Sequence, residues 1–292
     1  MNVYRLTPPS VTRRRMLTAS IAALPLLATL NPLASRAAAA DRPDDDSQAP
    51  VVRLAAGTDP AAIQATVDLF RGDLGQLNPN VGGSFRRGRR EINWDAVPDA
   101  RSAPNLLPAD FFNTTSPRGV VFATPGAGFE VSANAHNPTN TPVRFGEING
   151  AYPSLFQTFS PQRLFTALGS AVTDVMFFVP GSTTPASVAG LGAVFTDVVQ
   201  SGSTSVAYVD RHGQLLGEFV VPATSPGGLS FVGVVFHQQS SLRPVARVRL
   251  ISGNAALSPT TVNSGTTNVV AMDDFIFGEP RALAGGREDA AY

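Results

Sequence analysis

From Gly119 onward, apolar residues come in short runs rich in Val and Phe, separated by clusters of Gly, Pro, Ser, Thr and Asn. The runs predict strands at Val120–Ala123, Gly128–Ala133, Val143–Ile148, Leu155–Phe159, Arg163–Ala167, Val172–Val179, Ala193–Val199, Ser205–Asp210, Leu215–Val221, Leu229–Phe236, Val245–Ile251 and Val269–Phe277. Strands this short and this numerous, with no helical periodicity between them, indicate an antiparallel sandwich or barrel. Ala246, Val248 and Leu250 alternate with Arg247 and Arg249, giving one dry and one wet face. Phe231–Phe236 is apolar on both faces and is expected at the centre of a sheet. Asp210-Arg211-His212-Gly213 has the chemistry of a hairpin turn.

The N-terminal part has a different texture. Asp59 and Pro60 suit a helix start, and Ile63, Val67 and Phe70 form one apolar stripe that Gly72 would end. That predicts a short helix over about residues 60–71. Residues 41–57, which start Asp-Arg-Pro-Asp-Asp-Asp, are expected to form a disordered acidic leader. Residues 73–118 carry five prolines among Asn and Gly, and they predict an irregular segment lying on the sandwich. The expected architecture is an all-β, antiparallel, jelly-roll-like sandwich over 119–280, preceded by the helix and this long irregular segment. A flexible tail is expected from 281.

Thr12-Arg13-Arg14-Arg15-Met16-Leu17, an apolar run from Ile21 to Leu33, and Ala38-Ala39-Ala40 precede all of this. The run is interrupted by two prolines and falls short of the roughly 20 apolar residues of a spanning helix. The pattern resembles the twin-arginine export signal, which is read by a receptor and then removed. The resemblance implies a freely secreted product, extracellular or periplasmic, with no integral membrane segment once residues 1–40 are gone.

Composition narrows the chemistry. There is no Cys, which removes disulfides, thiol nucleophiles and thiolate metal sites. There is no Lys either, which removes Schiff-base chemistry and the lysine-dependent phosphate loop. All 22 basic residues are therefore Arg, and five of them precede residue 41. The remaining 17 face 22 acids, a balance that argues against nucleic acid as a partner.

Four segments carry a family resemblance. They are Ala193–Val198; Tyr208-Val209-Asp210 through Gly217; Gly228–Val234; and Met272-Asp273-Asp274-Phe275-Ile276-Phe277. Together they resemble exported bacterial β-sandwich surface proteins, including some with PEP-CTERM sorting tails, although no such tail follows here. The last segment is also similar to the closing strand of jelly-roll carbohydrate-binding modules. In those modules a last-strand Asp and an early-strand Glu hold a structural Ca²⁺. The resemblance implies Asp273 or Asp274, together with Glu130, as calcium ligands. Neighbouring strand residues point to opposite faces, so only one of the two Asp side chains is expected to turn inward.

Other candidates rest on residue type alone. Asp174 and Asp197 sit in apolar strands and would suit a glycoside-hydrolysing pair if they converged, or else face solvent. Arg86, Arg87, Arg89 and Arg90 form the one dense basic cluster, either a site for anionic polysaccharide or phosphate or a solvated loop whose arginines pair with acids elsewhere. Trp94, the only Trp, would either stack on a sugar ring or cover the core. His136, His212 and His237 show no metal-ligand spacing, and no nucleophile elbow is present. Three functions stay open: a non-catalytic binder of glycan or cell-envelope material, a carboxylate-dependent polysaccharide hydrolase, and a structural surface or matrix component. A strip of exposed aromatics would favour the first, and two converging buried acids the second.

Overall fold

The computed structural model describes residues 49–236 and 245–283. The twin-arginine stretch and the acidic run Asp44–Asp46 lie outside the described residues. In chain order the elements are β1 (Val51–Gly57), α1 (Pro60–Leu74), β2 (Arg89–Ile92), α2 (Phe111–Thr114), β3 (Val120–Ala123), β4 (Gly128–Val131) and α3 (Tyr152–Leu155). Then come β5 (Phe165–Leu168), β6 (Val172–Phe177), β7 (Ala186–Ser187), β8 (Gly190–Thr196), β9 (Ser205–Val209) and β10 (Leu215–Val220). The chain closes with β11 (Leu229–Val235), β12 (Arg247–Ile251), β13 (Ala271–Gly278) and β14 (Arg281–Ala282).

The protein is an all-β sandwich. One sheet runs β1-β11-β8-β13-β5-β4 and the other β10-β9-β12-β6-β3. β2 adds to β13, and the ladders within both sheets are antiparallel. The chain crosses repeatedly between the two layers, as a jelly-roll-like arrangement requires. Phe122, Val175 and Phe177 of the smaller sheet meet Phe165, Phe275 and Phe277 of the larger one in a shared apolar core. Phe177 and Phe277 touch across it, ring centroids 5.7 Å apart.

Helix α1 explains why β11 is apolar on both faces. Asp59 caps the helix, its carboxylate accepting from the Ala62 N–H at 3.1 Å. Ile63, Val67, Phe70 and Leu74 are buried against Val194, Leu229, Phe231 and Ile276 on the outer face of the larger sheet. Gly192 and Gly233 pair across β8 and β11, and Phe70 lies over both. A Cβ at Gly233 would fall 2.6 Å from the Phe70 ring. Gly233→Ala is therefore expected to cost about 1–3 kcal/mol by overpacking, read from the midpoint of urea unfolding. An unchanged midpoint would mean that α1 is not seated tightly on the sheet.

Several expectations need correction. Val51–Gly57 is not disordered, because it pairs residue for residue with β11, from Val51 with Val235 to Gly57 with Leu229. The acidic start of the leader had masked an ordinary edge strand. Helix α1 runs to Leu74 and closes at Gly75, whose φ of 95° suits glycine. The expected irregular segment contains β2 and also supplies Ile92, Trp94, Val97, Phe111 and Phe112 to the core. Val143–Ile148 is no strand: Arg144 and Phe145 have φ of 52° and 63°, and the segment turns to bury Phe145. Leu155–Phe159 is no strand either, since Leu155 ends the single-turn helix α3. Phe145, Tyr152, Phe156 and Leu164 instead fill a third apolar cluster with Leu257 and Val269. Arg281 and Ala282 pair with β7, so the expected tail is ordered at its start. Among the described residues, no helix is long and apolar enough to cross a membrane.

Candidate functional site

The closing strand β13 carries the decisive irregularity. Its register shifts between Met272 and Phe275. Val270, Met272, Phe275 and Phe277 all face the shared core, while Ala271 and Ile276 face the clusters on the outer side. One residue too many lies between Met272 and Phe275, so Asp273 and Asp274 together occupy a single outward position. This is a β-bulge. It corrects the expectation that only one of the two side chains is inside, because Asp273 and Asp274 are 0 % and 3 % exposed. Alternation fails where the ladder holds an extra residue.

The segment after α3 covers these acids. The Phe159 N–H donates to Asp273 Oδ2 at 2.6 Å, and the Ser160 hydroxyl donates to Oδ1 at 3.1 Å. Burial, followed by the charge of Asp274, pushes Asp273 well above the usual carboxylate range. Burial pushes Asp274 up to about 6, against the opposing pull of Ser160, Asp273 and Arg71. Both carboxyls are thus held above their usual range by burial.

Asp274 forms part of the floor of a cleft of about 450 Å³ between α1, β2 and Phe159–Pro161. Arg71, from the last turn of α1, reaches over it. Arg71 Nη2 lies 3.4 Å from Asp274 Oδ2 and 3.0 Å from Glu91 Oε2. Arg71 Nε and Arg89 Nε also donate to Glu91 Oε1, at 3.1 and 2.6 Å. Both oxygens of Glu91 are thus engaged by guanidinium groups.

Arg118 also lines the cleft. It is 9 % exposed, donates from Nε to the Glu91 carbonyl at 2.8 Å and from Nη1 to Ser116 Oγ, and lies over the Phe112 ring. Of the three buried arginines among the described residues, Arg90 pairs with Glu279 and Arg163 with Asp99, whereas the described partners of Arg118 include no carboxylate. Burial, and then the charge of Arg90, lower its pKa to about 10. It remains a cation at neutral pH. Gln64, Asn80 and Asn93 add amide groups to the wall, and Phe159 adds one apolar surface.

The other candidates are scattered. Trp94 is 1 % exposed and stacks on Phe165 at 4.1 Å, with Phe112 and Phe275 against it edge-on. No face is left for a sugar, which corrects the binding expectation. The basic cluster Arg86–Arg90 is not one surface. Arg90 is fully buried on Glu279 and Arg89 is tied to Glu91, because β2 turns alternate residues inward. Arg86 and Arg87 stand exposed beside a separate depression with Gln76, Asn78 and Phe85.

Asp174 and Asp197 do not converge as an acid–base pair. Asp174 lies on β6 of the smaller sheet, in a two-pronged ion pair with Arg249 at 2.7 and 2.8 Å. Asp197 follows β8 of the larger sheet, where it is buried and accepts from the Gly227 N–H and Asn263 Nδ2 at 2.8 and 2.5 Å. Its role is to hold loops together. Glu130 does not join Asp273 or Asp274 either. It lies on β4, separated from β13 by β5, and faces Glu147 instead. Burial, then the hydrogen bond and charge of Glu147, push Glu130 up to about 8. Among the described residues, no three acidic or His side chains gather closely enough to ligate one ion. The calcium set implied by the carbohydrate-module resemblance is therefore not assembled.

Sequence reasoning missed Arg71, Glu91, Arg118 and Glu147. The spacing Val270, Met272, Phe275, Phe277 did signal the bulge, since a regular strand would keep a step of two. Arg118 gave no local signal, because its neighbours in the cleft lie far from it along the chain. No protein-family model matches the chain, and no curated protein matches it significantly.

Proposed function

We propose that this protein is a non-catalytic glycan-binding protein whose cleft takes a carboxylate-bearing sugar, such as a uronic acid residue of a cell-envelope polysaccharide. The observation that carries the reading is Arg118, a buried guanidinium with no acid among its described partners, lining a polar cleft. Taking a cation out of water without a counter-charge is costly, and a ligand carboxylate would offset that cost through a charge-assisted hydrogen bond. The amides of Gln64, Asn80 and Asn93 both donate and accept, which suits sugar hydroxyls. Phe159 offers the apolar surface that a ring face needs. The twin-arginine resemblance, which implies export, fits a ligand met outside the cytoplasm.

A second reading, hydrolysis, has one observation in its favour. Asp274 is raised to about 6, and it shares the Arg71 guanidinium nitrogen with Glu91 at 3.4 and 3.0 Å. Their oxygens thus lie no farther apart than the sum of those distances, which is closer than the carboxyls of an inverting glycosidase pair stand. Against it, both oxygens of Glu91 are already engaged by Arg71 and Arg89.

A glycan array probed with the purified protein tests both readings. Binding is expected on uronate-bearing glycans and not on their neutral counterparts, with no new reducing ends on prolonged incubation. Arg118→Gln should weaken that binding about 10–100-fold, the range of a hydrogen bond to a charged group. Binding confined to neutral glycans would sink the acidic-sugar reading. Release of reducing ends that stops in Asp274→Asn would replace binding by hydrolysis.

A further inference from the structure

Arg118 and Asn93 border a second, smaller space besides the cleft. Trp94 and Ser116 also line it, and Val97 and Phe111 give it an apolar wall. Its volume is about 10 Å³, room for one water-sized group. Trp94 Nε1 is buried and has no hydrogen-bond partner among the described residues. The faces and sides of the ring are taken by core aromatics, with Phe165 stacked on it and Phe112 and Phe275 meeting it at near right angles. Buried indole N–H groups almost always have a partner, so this one calls for an acceptor.

The backbone holds these groups in place. Trp94 has a φ of 65°, a left-handed conformation that a bulky residue keeps only where its surroundings impose it. The turn is closed by the Val97 N–H, which donates to the Trp94 carbonyl at 2.9 Å. Across the space, the N–H groups of Ser116 and Arg118 donate to the carbonyls of Phe111 and Phe112 at 2.9 and 2.8 Å. Both residues are thereby tied to the short helix α2. Arg118 Nη1 donates to Ser116 Oγ, which leaves the hydroxyl proton with no acceptor among the described residues. Arg118 Nη2 likewise donates to no described group. Three residues with a free donor therefore border one small space, and none of its described lining residues is an acid.

We propose that Trp94 is a specificity-determining residue of the cleft: its indole N–H and the Ser116 hydroxyl hold one oxygen of the ligand carboxylate, while Arg118 Nη2 holds the other. The inference rests on the acidic-sugar reading of the cleft and names the groups that select the acid. A carboxylate oxygen is about the size of the water that the space admits, and its lone pairs accept from two donors. The indole N–H only donates, so it serves an acceptor and no other group. A neutral sugar carries a single hydroxyl oxygen where the uronate has two. It would leave either Arg118 Nη2 or Trp94 Nε1 unpaired, and a site built around buried donors discriminates against such an analogue. The buried ring thus acts by its N–H edge, and stacking on the sugar has no part in it.

Trp94 is the only Trp, so its indole N–H gives a single peak in a ¹⁵N–¹H correlation spectrum and needs no assignment. The purified protein is titrated with sodium glucuronate and sodium galacturonate, and separately with glucose and galactose, NaCl keeping the ionic strength equal. The uronates should shift that peak saturably, with the Kd that calorimetry gives, and the neutral sugars should leave it in place. Trp94→Phe keeps an aromatic ring and loses the donor, so its uronate affinity should fall about 10–100-fold. Thermal unfolding checks that this variant folds, and the wild-type spectrum decides the matter if it does not. A peak that stays in place at saturating uronate, with binding still lost in Arg118→Gln, would overturn the inference and leave the cleft reading intact. A peak that chloride alone moves to the same position would overturn the assignment to a carboxylate. If calorimetry finds no uronate binding at all, the cleft reading fails and this inference with it.

Discussion

Arg90→Met is expected to lower the unfolding free energy by about 3–5 kcal/mol, the usual penalty for stripping one partner from a buried ion pair. Arg90 and Glu279 are both fully buried, with Nε and Nη2 of Arg90 each 2.9 Å from a carboxylate oxygen. Glu279 also accepts from Asn78 Nδ2 at 2.8 Å and from the Phe85 N–H at 3.1 Å. The remaining donors of Arg90 go to the carbonyls of Val81, Gly83 and Pro117. This one contact set therefore fastens the loop before β2, and the residue just before Arg118, to the end of β13. Adding Glu279→Gln to Arg90→Met should recover part of the loss, because it removes the stranded charge while the three carbonyls stay unpaired. Urea unfolding of the single and double variants measures both effects. A single-variant loss below about 1 kcal/mol, the level of an exposed pair, would show that the clamp is open to solvent.

The second large effect is on pH dependence. In metal-free protein, stability should fall as pH rises from about 4 to 8. Glu130 is raised to about 8 and Asp274 to about 6, while Asp273, Asp95 and Asp197 are also raised, in each case chiefly by burial. Below the ordinary carboxylate pKa, folded and unfolded chains are both protonated and no penalty arises. Between the ordinary and the raised value the native state holds a proton that the unfolded state has lost, so stability declines by about 1.4 kcal/mol per pH unit per group. Above the raised value the whole penalty is in place. Asp68, which its hydrogen bond from Gln64 holds below the usual carboxylate range, is exposed and contributes little to set against this. Thermal melts in EDTA across this range check the sign. Asp273→Asn and Glu130→Gln should each flatten the profile, and a Tm that rises steadily toward pH 8 would contradict the burial of these acids.

The fold was legible in the sequence because burial in a sandwich is written as local alternation and turn chemistry. The runs at Val120–Ala123, Val172–Val179 and Leu229–Phe236 became β3, β6 and β11 with small changes at their ends. The two runs misread as strands, Val143–Ile148 and Leu155–Phe159, are apolar for another reason: their side chains fill the third cluster from turns and a single helical turn. The site was far less legible. Asp273 and Asp274 were found by residue type, but their joint burial depends on a bulge that a strict period of two does not contain. Arg86–Arg90 looked like one charged surface, and β2 divides it between core and solvent. Arg118 became a candidate only when the chain brought α1, β2 and β13 together around it.

The proposed function has the cleft hold an acidic sugar through Arg118. It is tested most directly by calorimetric titration of wild type and Arg118→Gln with the uronate oligosaccharide that the wild-type protein binds best on the array. Wild type should bind saturably and less tightly as salt is added, and Arg118→Gln should lose about 10–100-fold in affinity with its thermal unfolding intact. Equal affinity in the two proteins would contradict it.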